Sequence, residues 1–157
     1  MRRAIRGVSA VLVGVGVLAI NLYAAQPSAP AAAAGGQDLQ VTVTYTGKGE
    51  VGKQNEISVF LFDTPIINGQ SAPVAIRTIE KNGGSAQFTG VMASPVYIAV
   101  AYDEKGNFTP GEGPPPVGTP VAIHGETKPG AGATPVKPGK GVKVTISFND
   151  AVRMQGH

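Results

Sequence analysis

Oxygen-bearing side chains cluster in one short acidic turn, residues 103–107 (DEKGN), directly after an apolar run. Asp103, Glu104 and Asn107 offer carboxylate and amide oxygens, which are the ligands that calcium prefers in proteins. Their spacing is not that of an EF-hand loop, and Asp and Asn also favour turns because their side chains hydrogen-bond the local backbone. The sequence therefore predicts a structural turn here, with a calcium site as the alternative and no other cofactor.

Histidine supplies the second candidate site. His124 and Glu126 are two residues apart, so on a strand their side chains would share a face. A metal site needs more ligands than this pair, together with outer groups that orient them, and the other histidine, His157, lies in the C-terminal tail. We therefore expect His124 to be a surface histidine rather than a metal ligand.

The sequence shows no arrangement of side chains typical of an enzyme. Its serines stand in no nucleophile-elbow motif, and its acidic residues are scattered through turns. Cysteine is absent, which excludes thiolate catalysis, disulfides and cysteine-based zinc sites. We therefore predict a protein that is not an enzyme and has no catalytic residues, and an unrecognised hydrolase is the less favoured alternative.

Two segments rich in proline and glycine follow the acidic turn, at residues 108–120 and 125–140. Loops longer than about 12 residues without secondary structure are usually functional or disordered. A recognition surface for an envelope protein or a polysaccharide is therefore one interpretation, and a pair of tolerated insertions is the other. The candidate partner-binding residues in and between these loops are Phe108, Val117, His124 and Val136.

These loops need a framework, and two runs with apolar residues on both strand faces predict its interior strands. Residues 96–102 (VYIAVAY) precede the acidic turn, and residues 57–62 (ISVFLF) have the same character apart from Ser58. Because successive side chains of a strand point to opposite faces, both faces of these strands must be covered. We expect the loop at residues 63–73 to place Ile66 and Ile67 under the edge of the sheets.

Five more strands are predicted from the alternation of apolar and polar residues and from the turn formers between them. They span residues 39–46, 74–80, 85–91, 121–124 and 141–149. The Asn82-Gly83 pair within KNGG predicts a type I′ hairpin turn, because Asn and Gly tolerate the positive φ angles that this turn requires.

These elements predict an all-β fold. The 22 Gly and 13 Pro suit short strands joined by many turns, and no long amphipathic helical pattern occurs. The expected architecture is an antiparallel, seven-stranded sandwich over residues 39–149. A partly open barrel is the alternative.

The N-terminal segment has the features of an export signal. Three arginines precede an apolar stretch from Val8 to Ala25, and a small-residue tract ending at Ala34 supplies a cleavage site. We predict a helical signal peptide over residues 1–34, a disordered lead-in over 35–38 and a tail over 150–157. The protein would be periplasmic or extracellular, and an uncleaved membrane anchor is the alternative, since about 18 apolar residues approach the length of a membrane span.

Charge argues against a nucleic-acid partner. The net charge of +3 comes from the three N-terminal arginines, and the remaining ten Lys and Arg balance the ten Asp and Glu. A neutral mature domain lacks the basic surface that nucleic-acid binding requires. Membrane contact is expected only through an uncleaved N-terminal segment.

Residues 84–107 (GSAQFTGVMASPVYIAVAYDEKGN) resemble transthyretin-like, or carboxypeptidase-regulatory-like, immunoglobulin-type modules of secreted bacterial proteins. The resemblance implies that the seven-stranded sandwich is of the Ig-like or transthyretin-like type. It also implies a non-catalytic binding, spacer or assembly module of the bacterial envelope. A carrier of a small ligand or of calcium is the alternative function. The matching positions are Gly84, Ala86, Phe88, Gly90, Val91, Tyr97, Val100, Asp103, Gly106 and Asn107.

Overall fold

Alternating apolar residues form the strands of a two-sheet structure in the computed structural model, which describes residues 36–156. The predicted signal peptide and its helix, and His157, lie outside the described residues. The strands are β1 (Gln37–Tyr45), β2 (Ile57–Phe62), β3 (Ala75–Ile79), β4 (Ser85–Val91), β5 (Tyr97–Tyr102), β6 (Val121–Ile123) and β7 (Lys143–Phe148).

The strands form a three-stranded sheet in the order β4-β1-β7 and a four-stranded sheet in the order β3-β2-β5-β6. The described part of the chain contains no helix, so the all-β class is confirmed. In particular, residues 36–156 include no helix long and apolar enough to cross a membrane. The two runs predicted as interior strands, β2 and β5, are adjacent in the middle of the four-stranded sheet.

The two sheets share one apolar core. Val41 and Val43 of β1 pack with Val59 of β2 and Val100 of β5, and all four are buried. The ring of Tyr45 closes one end of this core, with its centroid 4.3 Å from that of Tyr102 and 5.0 Å from that of Phe148. Burial of apolar side chains between two layers stabilises the sandwich-like arrangement.

One strand pair departs from the antiparallel prediction, because β1 and β7 are parallel. Val43 lies opposite Ile146 and Tyr45 opposite Phe148, so the apolar side chains of both strands face the same core. A tight turn forces neighbouring strands to be antiparallel, whereas strands far apart in sequence are free of this constraint. The four-stranded sheet lies between β1 and β7 along the chain, so no local pattern could reveal their direction.

The predicted hairpin between β3 and β4 is wrong, since β3 pairs with β2 and β4 pairs with β1. Positive φ occurs at Gly83 but not at Asn82, which rules out a type I′ turn. Asn82 instead binds the backbone of β1: its Nδ2 donates to the Tyr45 carbonyl at 2.7 Å, and its Oδ1 accepts from the Tyr45 N–H at 2.8 Å. This corner leads the chain from one sheet to the other.

The start of the domain is more ordered than predicted, and the tail contacts a neighbouring segment. β1 begins at Gln37, so Gln37 and Asp38 belong to a strand rather than to a disordered lead-in. The tail pairs with the loop before β6: the Val121 N–H donates to the Val152 carbonyl at 3.0 Å, and the Met154 N–H donates to the Thr119 carbonyl at 2.8 Å. The tail is therefore part of the fold.

Candidate functional site

The outer face of the four-stranded sheet carries a second apolar cluster, centred on Phe60, Phe62 and Ala101. Strand pairing places Ile76, Phe60, Ala99 and Ile123 in one row across β3, β2, β5 and β6. Ala99 is the smallest side chain of this row and stands between Phe60 and Ile123. The row is therefore depressed at Ala99.

A groove of about 360 Å³ lies over this depression. Residues 67–73 form one wall and residues 111–115 form the other, and Met154 of the tail also lines it. Among the described residues that line the groove, Glu112 carries the charge and the other side chains are apolar or uncharged. Its volume lies near the lower end of the range of small-molecule sites, about 300–1,000 Å³.

The first wall is held by a turn that closes on itself. Asn68 Oδ1 accepts from the Gln70 N–H at 2.8 Å, and the Asn68 N–H donates to Ser71 Oγ at 3.0 Å. Of the two isoleucines expected under the edge of the sheets, Ile67 packs against the outer cluster, whereas Ile66 is 53% exposed. The turn therefore fixes one apolar side chain, Ile67, beside the groove.

The second wall lies in the loop at residues 108–120, and Asp103 of the acidic turn holds the start of this loop. Its Oδ1 accepts from the Asn107 N–H at 3.2 Å, and its Oδ2 accepts from the Phe108 N–H at 2.9 Å. The Phe108 ring packs on Phe60, with 6.2 Å between centroids. Gly106 has φ +63, and a Cβ there would lie 2.6 Å from the Gln54 carbonyl oxygen, so glycine is required for this close approach.

The tail holds the far end of the loop at residues 108–120. Arg153 Nη1 donates to the Gly118 carbonyl at 2.6 Å and pairs with Glu104 at 2.9 Å, while Nη2 pairs with Asp150 at 3.1 Å. The hydrogen bond to Glu104 raises the pKa of the Arg153 guanidinium above its ordinary value. Arg153 therefore links the acidic turn, the proline-rich loop and the tail as a charged clasp.

Asp150 connects this clasp to the main core. Its carboxylate accepts hydrogen bonds from the Tyr45 hydroxyl and, at 2.9 Å, from the Lys48 N–H. These contacts hold the pKa of Asp150 below its ordinary value, and the Arg153 charge acts in the same direction. Burial and the bond to Asp150 raise the pKa of the Tyr45 hydroxyl well above its ordinary value, so Tyr45 remains a protonated donor.

A polar cavity of about 450 Å³ adjoins the groove along β2. It is lined by charged side chains of both signs, by amides and by the buried Ser58. Ser58 lies on the same face of β2 as Phe60, and it pairs with Ala101, which lines the groove. The lining residues of this polar cavity are Lys53, Gln54, Asn55, Glu56, Ser58, Asp103, Lys105, Gly106, Phe108 and Pro110.

The predicted calcium ligands have structural partners. Asp103 caps the turn through both oxygens, Glu104 pairs with Arg153, and Asn107 donates its backbone N–H to Asp103. Within residues 36–156, no three His, Cys, Asp or Glu side chains form a group that could hold a metal ion. The geometry of this turn is explained by its hydrogen bonds, and calcium binding stays a prediction.

His124 and Glu126 do not share a strand face, because β6 ends at Ile123. The His124 N–H donates to the Ile98 carbonyl at 2.8 Å, and Glu126 Oε1 accepts from the Gly130 N–H at 2.7 Å. His124 is half-buried beside β5 rather than fully on the surface. The pair therefore contributes to the structure of the second long loop.

The other predicted partner-binding residues are not brought together. Val136 is buried in the main core and bridges to Val96, so it does not belong to a recognition surface. Val117 is 66% exposed, and Phe108 packs on the outer cluster. Of these residues, only Phe108 lies beside the two cavities.

No family model, curated protein or solved structure matches this chain. The resemblance to transthyretin-like modules therefore stays a prediction. Sequence reasoning missed the groove, although one signal was present: Ala99 and Ala101 are small residues in strand β5, which is otherwise built from bulky ones. It also missed Met154 and Arg153, whose positions depend on the pairing of the tail.

Proposed function

We propose that this protein is a non-catalytic binding module exported by a bacterial cell, and that its binding site is the groove over Ala99. The part of the ligand that occupies the groove is apolar and uncharged. The observation that carries this proposal is the groove itself, an apolar depression of about 360 Å³ on a sheet face, with a loop on each side.

The chemistry of the lining supports an apolar ligand. Phe60, Phe62 and Ile67 supply apolar surface, and the described lining contains no lysine or arginine that would attract an anion. Transfer of an apolar ligand from water to such a surface is favoured by about 25 cal/mol for each Å² buried. Small-molecule sites are typically apolar, with a few polar groups that set orientation.

Preorganisation supports binding rather than tolerated insertion. The first wall is closed by hydrogen bonds around Asn68. The second wall lies in the loop at residues 108–120, which Asp103 holds at its start and Arg153 holds near its end. Walls that are ordered before binding reduce the entropic cost of holding a ligand. This is the role that we assign to the proline-rich loop at residues 108–120.

The finer fold assignment belongs to the same proposal. The resemblance of residues 84–107 favours a transthyretin-like, Ig-type sandwich, and the N-terminal sequence favours export to the periplasm or the outside of the cell. Hydrolysis has less support, because the serine and the carboxylate in the lining, Ser71 and Glu112, have no histidine beside them in the described lining.

Thermal unfolding with and without 1-octanol tests this proposal. A ligand that binds only the folded state raises the midpoint, by an amount that grows with ligand concentration. We expect 1-octanol to raise the midpoint of the wild-type protein. The same midpoint at every concentration would contradict the proposed function.

A further inference from the structure

We propose that the natural ligand is a single-chain amphiphile, whose apolar chain lies in the groove and whose zwitterionic head lies in the polar cavity beside it. This inference rests on the proposed function and assigns the ligand class of the same site. It also gives a role to the polar cavity, which the proposed function does not use.

The two cavities are neighbours on one sheet face. Ser58 lines the polar cavity and Ala101 lines the groove, and the two residues are directly opposite each other in the pairing of β2 with β5. Cross-strand partners have Cβ atoms about 4.5–5.5 Å apart. Both side chains are buried, so a ligand that joins the two cavities passes over the half-buried residues between them, Phe108 and Pro110.

The boundary between the cavities is short. Phe108 and Pro110 line the polar cavity, and Gly111 begins the lining of the groove. The Phe108 ring packs on Phe60, so the divider is apolar on the side that an acyl chain would cross. An acyl chain that joins the cavities therefore crosses an apolar side chain at this boundary.

The charges of the two cavities differ in the way that an amphiphile requires. The described lining of the groove carries the single charge of Glu112, whereas the polar cavity carries Lys53, Lys105, Glu56 and Asp103. Asp103 is already engaged as the cap of the acidic turn. A wholly apolar ligand would still leave the charges of Lys53, Lys105 and Glu56 unused, and a wholly polar one would leave the groove empty.

The balance of charge selects the kind of head group. Two lysines and two acidic residues belong to the lining of the polar cavity, so the formal charge of its lining is zero. A purely anionic head would be attracted by Lys53 and Lys105 but repelled by Glu56 and Asp103. A head with both signs can place each charge near its opposite, which is electrostatic complementarity.

The experiment compares three probes with the same chain, octylphosphocholine, octanoate and 1-octanol, each below its micelle concentration, by NMR titration of the full domain. We expect octylphosphocholine to bind about tenfold more tightly than either other probe. It should shift the backbone amides of both Ala99 and Ser58, whereas 1-octanol should shift that of Ala99 alone.

A charge-reversed variant tests the head-group contacts. Lys53→Glu with Lys105→Glu should weaken octylphosphocholine binding about tenfold and leave 1-octanol binding within about twofold, since exposed ion pairs contribute little each but add over two sites. The matched control is Lys81→Glu with Lys140→Glu, two exposed lysines outside both cavities. It makes the same change in net charge and should alter neither affinity.

The outcomes separate the two proposals. Equal affinities for octylphosphocholine and 1-octanol, both at Ala99, would overturn the amphiphile and leave the proposed function standing. Tighter binding of octanoate than of octylphosphocholine would overturn the zwitterionic head. Binding of none of the three probes at Ala99 would overturn the proposed function together with this inference.

Discussion

Ala99 lies directly opposite Phe60 in the antiparallel pairing of β2 with β5. The small side chain of one strand and the large one of the other create the depression on the outer face of the sheet. The loops at residues 63–73 and 108–120 form walls on either side of this depression and leave it open. The groove is thus a consequence of one residue pair and two anchored loops.

Filling the depression should remove binding without unfolding the domain. Ala99→Leu adds three carbons in the groove, so we expect the affinity for 1-octanol to fall more than about tenfold. Thr145→Leu places the same side chain at an exposed position of β7 in the other sheet and is the matched control. Thermal unfolding without ligand checks that both variants fold, and retained binding by Ala99→Leu would show that the ligand lies elsewhere.

The shared core should be sensitive to truncation. Phe88 of β4 is 1% exposed and belongs to the main core, so Phe88→Ala should lower the free energy of unfolding by about 3–5 kcal/mol. Ile66→Ala removes an exposed side chain from a loop and should change the free energy of unfolding by less than about 0.5 kcal/mol. Urea unfolding measures both, and similar losses would contradict the position of the core.

Asn82 should stabilise the corner between the sheets. Asn82→Ala removes two hydrogen bonds and leaves the N–H and carbonyl of Tyr45 without these partners, so we expect a loss of about 1–3 kcal/mol in unfolding free energy. Asn149→Ala, at an exposed position after β7, is the control and should cost less. An Asn82 variant as stable as wild type would mean that the corner does not depend on this side chain.

Asp150 should make stability depend on pH in the acidic range. Its bonds from Tyr45 and Lys48 lower its pKa in the folded protein, whereas an unfolded aspartate titrates at about 3.9. The contribution of the Asp150 carboxylate to stability is therefore complete above its pKa in the unfolded chain. This contribution is lost as the pH falls through its pKa in the folded protein. Asp150→Asn should lower Tm at neutral pH. The difference in Tm between this variant and wild type should become smaller below about pH 4.

Asp63→Asn is the control for this pH dependence, because Asp63 is exposed in the loop after β2. Scanning calorimetry between neutral and acidic pH measures Tm for all three proteins. A constant difference between Asp150→Asn and wild type over the whole range would show that the Asp150 carboxylate does not titrate as the clasp requires.

The strands could be predicted from sequence because alternation is a local property. β2 and β4 begin and end where the pattern predicts, and the all-apolar runs are interior strands. Strand partners are set by contacts far apart along the chain, so the parallel pairing of β1 with β7 was not predictable from local pattern. The hairpin between β3 and β4 was wrongly predicted for the same reason. The Asn82-Gly83 pair indicates a turn, but it does not indicate that the strands on either side of the turn pair with each other.

The candidate site could be predicted only in part. The acidic turn lines the polar cavity and the loop beginning at Phe108 lines both cavities, but Val136 is a core residue that no loop composition would identify. Met154 and Arg153 reach the site because the tail pairs with residues 118–121, a contact between segments without a periodic pattern. Sites formed by loops depend on such contacts, whereas strands depend on periodicity.

The most direct test of the binding groove uses alanine methyl groups as reporters. With ¹³C-methyl alanine in the full domain, titration with 1-octanol should shift the signals of Ala72 and Ala99, which line the groove. The signal of Ala86, buried in the main core away from the groove, should stay fixed. Shifts at Ala86 without shifts at Ala99, or no shift at any alanine, would contradict the account.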